Sequence, residues 1–292
     1  MTTFTNKVAV VTGAASGIGA ALAAALADRG ARLALSDVDE IGLNATADAV
    51  RQRGAQVHTA RLDVSDRDAV AAYAASVFEH YGVVHQVYNN AGIALDAGSV
   101  LSTDYAAYER ILGVNLWGVI HGTKESVPHL IASGDGHLVN ISSINGIFAQ
   151  NSSSGYCTSK FAVRGFTESV RADMLVGNHH VKVSVVHPGG VSTNIANSAL
   201  TNAAAVGATL TDRDRRRVEV YNDKLLRMPP EKAAAIILAG VAAERPRILV
   251  GNDARLLDIL VRLIPGGAPK LAAWLDRRTF GSVDEVTPAV AR

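Results

Sequence analysis

The chain alternates short apolar runs with longer stretches in which apolar residues return at helical spacing. "KVAVVTG" (7–13) is a β-branched run closed by glycine, the mark of a buried strand. "GIGAALAAALADRG" (17–30) is rich in Ala and Leu and ends on Gly30, so it reads as a helix with a glycine stop. "ARLALSD" (31–37) is a second strand, and the pattern repeats as helix 39–53, strand 55–60, helix 66–82 and strand 83–89. A long helix over roughly 104–132, a strand at 136–142, a helix carrying Tyr156 to about 178, and strands at 181–187 and 246–251 complete the series.

Strands alternating with helices pair in parallel through right-handed crossovers. Strands that are apolar throughout fit a sheet covered on both faces. The expectation is an α/β fold, a Rossmann-type doubly wound parallel sheet of about seven strands, in a single domain. No internal repeat or low-complexity linker divides it. Residues 1–251 form the body, and 189–228, rich in Asn, Thr and Ala, read as an insertion covering a site. Residues 252–292 read as a C-terminal helical extension of the same domain.

Composition narrows the function classes. The 292 residues are 48% apolar and 19% charged, which suits a globular chain and not a disordered one. Lys plus Arg number 28 against 27 for Asp plus Glu, a net charge of +1, so nothing draws the whole chain to nucleic acid or acidic membranes. Cys157 is the single cysteine; no internal disulfide can form, in keeping with a reducing compartment. The N-terminus lacks a secretory pattern. The longest apolar stretch, "AAAIILAGVAA" (233–243), falls short of the roughly 20 residues of a membrane span. A soluble, cytoplasmic protein is expected.

"TGAASGIG" (12–19) lies between the first strand and the first helix. There Gly13 permits a tight turn, Gly17 lets a pyrophosphate approach the backbone, and Gly19 lets helix and sheet pack closely. The glycines fall at positions one, five and seven of their cluster, not in the usual G-x-G-x-x-G spacing. Alone they are equally a structural turn. Asp37 ends the second strand, eighteen residues after Gly19. A carboxylate there accepts hydrogen bonds from ribose hydroxyls and repels a 2′-phosphate, pointing to NAD over NADP. Its plainer reading is a helix cap or turn aspartate. "GYCTSKFA" (155–162) sets Tyr156 and Lys160 four apart, on one helix face. Alone, that is an ordinary surface pair.

Together these features resemble the classical short-chain dehydrogenase/reductase family. Seven motifs carry the resemblance in order: "TGAASGIG", "LDV" (62–64), "NNAG" (89–92), Asn115 in "GVNLWG", "ISS" (141–143), "YCTSK" (156–160) and "HPGGVST" (187–193). They span about residues 5–195, with the family core extending to about 251. The resemblance implies Ser143, thirteen residues before Tyr156, as the catalytic serine, with Tyr156 and Lys160, and Asn115 holding a water in a proton relay and kinking its helix. It places NAD(H) against Gly13, Ser16, Gly17, Ile18 and Gly19, with Asp37 at the ribose and Asp63 and Val64 at the adenine. Asn90, Ala91 and Gly92 would line the adenosine and ribose side, with Pro188, Gly189, Val191 and Thr193 toward the nicotinamide, beside Tyr156 and Lys160. It also implies a homodimer or homotetramer, through the long helices.

The chemistry explains the residue types. Hydride transfer to a ketone needs an oriented nicotinamide, a polarised carbonyl and a proton for the alkoxide. Tyrosine at its ordinary pKa of about 10 is a poor base near neutrality. A lysine ammonium ~4 Å away, at an effective dielectric of ~20, favours phenolate by up to roughly 4 kcal/mol. The reading is an NAD-dependent oxidoreductase interconverting a secondary alcohol and a ketone, with Tyr156 as acid/base. The apolar tail favours a lipophilic substrate. The alternative is a catalytically silent NAD-binding sensor or scaffold of the same fold.

Other features weigh less. No HExxH or paired CxxC occurs, so no metal is expected and His179, His180 and His187 read as surface or loop histidines. Cys157 reads as a core filler. The serine-rich stretch near 152–154 has no G-x-S-x-G elbow. "RDRRR" (213–217) reads as a solvated face. In "ARLLDILVRLIP" (254–265), Arg255, Asp258 and Arg262 share one side and leucines and isoleucines the rest. The apolar part is expected to pack on the body or a second subunit, with a substrate-pocket wall or membrane contact as alternatives.

Overall fold

A computed structural model describes residues 2–95, 99–195, 198–199, 201–202 and 212–280. Parts of the expected lid (196–197, 200 and 203–211) and of the tail (281–292) lie outside the described residues.

The strands are β1 (Val8–Thr12), β2 (Arg32–Asp37), β3 (Val57–Arg61), β4 (Gln86–Asn89), β5 (Gly136–Ile141), β6 (Val181–Pro188) and β7 (Arg247–Val250). They form one sheet in the order β3-β2-β1-β4-β5-β6-β7, parallel throughout. The chain steps outward from β1 to β3, then returns to place β4 on the other side of β1. That reversal opens a crevice at the carboxyl ends of β1 and β4, where open α/β sheets bind ligands.

Side chains alternate across the pleat. Ala9, Val11, Leu33, Leu35, Val139 and Val186 face one layer, built mainly by α1 (Gly17–Ala27), α2 (Glu40–Arg51) and α8 (Pro230–Ala242). Val10, Ala34, Val87, Leu138 and Val183 face the other, built by α3 (Arg67–Tyr81), α5 (Gly118–Ala132) and α6 (Ser154–Val176). Apolar residues on both faces are what made the strands read as unbroken apolar runs.

The helix expected over 104–132 is interrupted. It is α4 (Tyr105–Leu112), a π-helical turn over Gly113–Trp117, and α5. Asn115 lies in that turn, fully buried; such turns recur at functional sites. Beyond β6, the described residues hold α7 (Asp212–Val220), a second π turn (Tyr221–Leu225) and α8. The tail is α9 (Asn252–Leu263) and α10 (Ala268–Phe280). No described helix is long and apolar enough to cross a membrane.

A polar network ties sheet to helices on the second face. Asn89 Nδ2 donates to Asn140 Oδ1 at 2.9 Å, and Asn140 Nδ2 to Thr167 Oγ1 at 3.0 Å. Asn89 has this room because Gly122 lacks a side chain: a Cβ there would collide with Asn89 Oδ1.

Candidate active site

The carboxyl ends of β1, β4, β5 and β6 and the start of α6 enclose the candidate residues. The glycine turn leaves β1 through Gly13 at φ +67 and enters α1 through Gly17 at φ +54, backbone values that favour glycine. A Cβ on Gly13 would meet Ala91 Cα at 2.8 Å, and one on Gly17 the Thr193 methyl at 3.1 Å. A Cβ on Gly19 would collide with the Gly13 carbonyl. The turn is thus held between "NNAG" and the loop after β6. Asn90 Nδ2 donates to the carbonyls of Thr12 (2.9 Å) and Gly13 (3.1 Å), while Thr12 Oγ1 accepts from the N–H groups of Asn90 and Ala91.

α1 begins at Ser16, whose side chain makes no capping bond, and has no acidic residue in its first turn. Free N–H groups and the positive end of a helix dipole therefore face the crevice, a fit for phosphate. Asp37 Oδ2 accepts from Ala15 N at 2.9 Å and Oδ1 from Asp39 N at 3.0 Å. The carboxylate braces the turn and keeps lone pairs for further donors. Asp63 Oδ1 accepts from the backbone and hydroxyl of Ser65. Burial opposes its charge, but those bonds, with Arg110 and Arg61, hold its pKa below the ordinary value. Val64 is buried, and its side chain packs where a Cβ of Gly118 would stand.

Two of the catalytic candidates, Asn115 and Lys160, converge on Gly92. A Cβ there would lie 3.2 Å from Asn115 Oδ1 and 3.3 Å from Lys160 Nζ. Lys160 is buried, and Nζ donates to the Ile141 carbonyl at 3.2 Å. Burial pulls its pKa down to about 8. Its Nζ lies 5.7 Å from the centre of the Tyr156 ring, whose other side packs near Leu95, Ala107 and Ile111. Helical spacing does bring the two side chains into contact, as in a cation–π arrangement.

The Asn115 amide bonds protein at both its oxygen and its nitrogen. Oδ1 accepts from Ile93 N at 2.8 Å, and Nδ2 donates to Ile93 O at 2.9 Å and Ser159 Oγ at 3.1 Å. Ser159 in turn donates to the Tyr156 carbonyl at 2.7 Å. The amide thus links the loop after Gly92 to the helix bearing Tyr156. Ser143 is buried just beyond β5, its Oγ accepting from Asn145 N at 3.1 Å.

Several contributors escaped the sequence reading. Ser142 donates to the Lys160 carbonyl at 2.8 Å. His187, expected at the surface, is fully buried instead, with Nδ1 2.9 Å from the Ser143 carbonyl. That contact makes Nδ1 the protonated nitrogen, and burial lowers the ring's pKa to about 4, so it is neutral. His179 and His180 are exposed. Pro188 ends β6, and a Cβ on Gly189 would collide with the Asp253 carboxylate, which accepts from Gly190 N at 2.7 Å. Val191 is buried and bridges to Met228. Arg217 of the basic run is not solvated: it is buried 3.6 Å from Asp276 and donates to the Asn151 carbonyl. Cys157 is buried. Among the described residues, no cluster of His, Cys, Asp and Glu could hold a metal.

A family model described as short chain dehydrogenase matches residues 7–204. An oxidoreductase of Mycobacterium tuberculosis named SadH is 48% identical over 275 residues, covering 94% of this chain and 96% of that one. A protein of Leifsonia aquatica named levodione reductase is 30% identical over 268 residues, 91% and 95% of the two chains. A solved short chain dehydrogenase/reductase of Burkholderia phymatum, in complex with NAD, superposes with a TM-score of 0.85 at 31% identity, covering 92% of this chain and 97% of that one.

Proposed function

The chain belongs to the short chain dehydrogenase family, and from that premise we propose that it is an NAD-dependent oxidoreductase interconverting a secondary alcohol and a ketone. The observation that carries the reading is the convergence on Gly92, with Lys160 Nζ and Asn115 Oδ1 about a Cβ's reach away and the Tyr156 ring against the lysine. When bound, the nicotinamide supplies or accepts the hydride. This chain's residues do the rest. Ser143 Oγ hydrogen-bonds the substrate oxygen. Tyr156 donates the proton in reduction and accepts it in oxidation. Lys160, the buried cation beside the ring, supports the phenolate. Asn115 holds the Ile93 backbone and, through Ser159, the Tyr156 helix in register, and supports the proton relay.

The cradle fits a dinucleotide: the turn has positive-φ glycines, α1 has no side-chain cap, and both Gly13 and Gly17 lie against neighbours that a Cβ would crowd. Ser16, Ile18 and Gly19 complete the pyrophosphate side, Asp63 and Val64 the adenine side, and Asn90, Ala91, Pro188, Gly189, Val191 and Thr193 the remaining wall. The Asp37 carboxylate favours NAD by accepting from ribose hydroxyls and repelling a 2′-phosphate. The substrate is lipophilic, in keeping with the apolar tail. Residues 1–251 then act as the catalytic body, with 189–228 as its lid and 252–292 as an extension. A cytoplasmic homodimer or homotetramer completes the proposal.

The test is an activity screen over alcohols and ketones of graded size and polarity, run with NAD(H) and repeated with NADP(H). Turnover of apolar secondary alcohols, faster with NAD, is expected. Tight NADH binding without turnover of any substrate would instead favour a silent sensor or scaffold.

A further inference from the structure

The tail helix α9 carries apolar residues on its outer side as well as its inner one. Asp258 is only 7% exposed and Ala254 fully buried, whereas Leu256 is 65%, Ile259 56% and Leu263 76% exposed. Those three leucine and isoleucine positions recur at i, i+3 and i+7, so they line one outward stripe. The acid faces inward because it meets Arg247 of β7 at 2.5 Å and Arg262 at 3.3 Å. The inner sides of both tail helices gather on one cluster, where Phe148 packs with Ala268 and Ala272 of α10 and Leu257 and Val261 of α9. Their outer sides therefore both face away from the body. There α10 shows Trp274, and the linker shows Ile264.

The charges on this surface are sorted by sign. Arg255, Arg262, Lys270, Arg277 and Arg278 are exposed. The described acids are already engaged: Asp258 with Arg247 and Arg262, Asp276 with Arg217, and Asp253 with the Gly190 N–H. Arg278 lies over the Trp274 ring at 5.3 Å. Exposed leucine, isoleucine and tryptophan flanked by an excess of cations are the composition of a helix lying in a bilayer interface, where the apolar stripe enters the acyl boundary and the cations meet lipid phosphates.

We propose that the outward face of α9 and α10 docks this protein on the surface of an anionic lipid bilayer. A second copy is the poorer occupant. A two-fold contact sets a patch against itself, which would bring these cations together, the acids of the described tail being already engaged. Docking would bring the Phe148 side of the molecule, just beyond Ser143, toward the bilayer, where an apolar substrate is concentrated. The docking itself does not depend on the catalytic reading.

The experiment is flotation of the full chain with phosphatidylglycerol–phosphatidylcholine vesicles and with pure phosphatidylcholine vesicles, at low and high salt. Binding to the anionic vesicles, weakened by salt, is expected. Replacing Leu256, Ile259 and Leu263 with Ser should weaken it by at least about tenfold with unchanged circular dichroism. A second variant, Lys270→Glu with Arg277→Glu, should weaken it comparably and keeps the test open should the triple variant misfold. In a Trp117→Phe background, Trp274 emission should shift blue on adding anionic vesicles. Absence of binding at low salt, or binding unaffected by both variants, overturns the proposal. So does a wild-type oligomer that the serine variant dissociates without any vesicle binding, which would make the face a contact between copies.

Discussion

At the scale of single residues, Lys160 is where stability and chemistry oppose each other. Its burial lowers its pKa from 10.5 to about 8, so holding it charged costs about 3 kcal/mol below pH 8. The sign follows from proton counting. Between pH 8 and 10.5 the unfolded chain holds the proton more often, so folding gains stability as pH rises through that window. Lys160→Met removes the penalty. The variant should be at least as stable as wild type at pH 7 in denaturant melts, with wild type gaining on it toward pH 10, while turnover is lost. In the proposed function the Asp37 carboxylate sets cofactor choice. Asp37→Ala with Val38→Arg, at an exposed position, should move the NADPH-over-NADH ratio of kcat/KM up by at least about tenfold; an unchanged ratio would remove Asp37 from that role. Tyr156 and Lys160 were legible because helical spacing is local. His187 against Ser143 and Asp253 against Gly190 were not: these contacts join residues 44 and 63 positions apart, and no periodicity announces them.

At the scale of elements, the central strands were legible because both of their faces are apolar. Helix identity was legible from Ala-rich runs and glycine stops. The break in the 104–132 helix was not legible in the periodicity, since a π turn costs the pattern one residue; the family resemblance alone implied a kink there, at Asn115. The tail was legible as amphipathic, but not in which direction. Apolar residues are assigned inward by default, and only the position of Arg247 on β7 shows that Asp258 faces inward. Asp258→Ala should leave the partly buried Arg247 without its carboxylate and lower unfolding free energy by about 3 kcal/mol. Gly122→Ala should push Asn89 off the Asn140 network and cost about 2 kcal/mol or more, through overpacking and lost hydrogen bonds. Both are read by urea unfolding, and a neutral Gly122→Ala would mean that α5 is free to shift.

At the scale of the whole molecule, the sheet order gathers Thr12, Asp37, Asn89, Ile141 and Pro188 at one carboxyl edge. A motif list has no geometry until the reversal between β1 and β4 supplies it. The same packing buries two histidines, His137 and His187, each with a pKa lowered by burial to about 4. Unfolded histidines bind protons near pH 6.5, so between pH 6.5 and 4 the unfolded chain holds more of them and stability falls as pH falls. Each contributes about 3 kcal/mol of loss across that window. Melting midpoints should drop steeply over that range, and a flat profile would mean that both rings find water or an acid when protonated.

The central claim is that one phenol carries the proton in this crevice. The most direct measurement compares Tyr156→Phe with wild type in two assays on the same samples: NADH binding by fluorescence titration, and turnover of the best alcohol or ketone from the screen. The account predicts NADH binding within a few-fold of wild type and turnover reduced by at least about a thousandfold. Turnover that survives within tenfold would contradict it and assign the proton to another group.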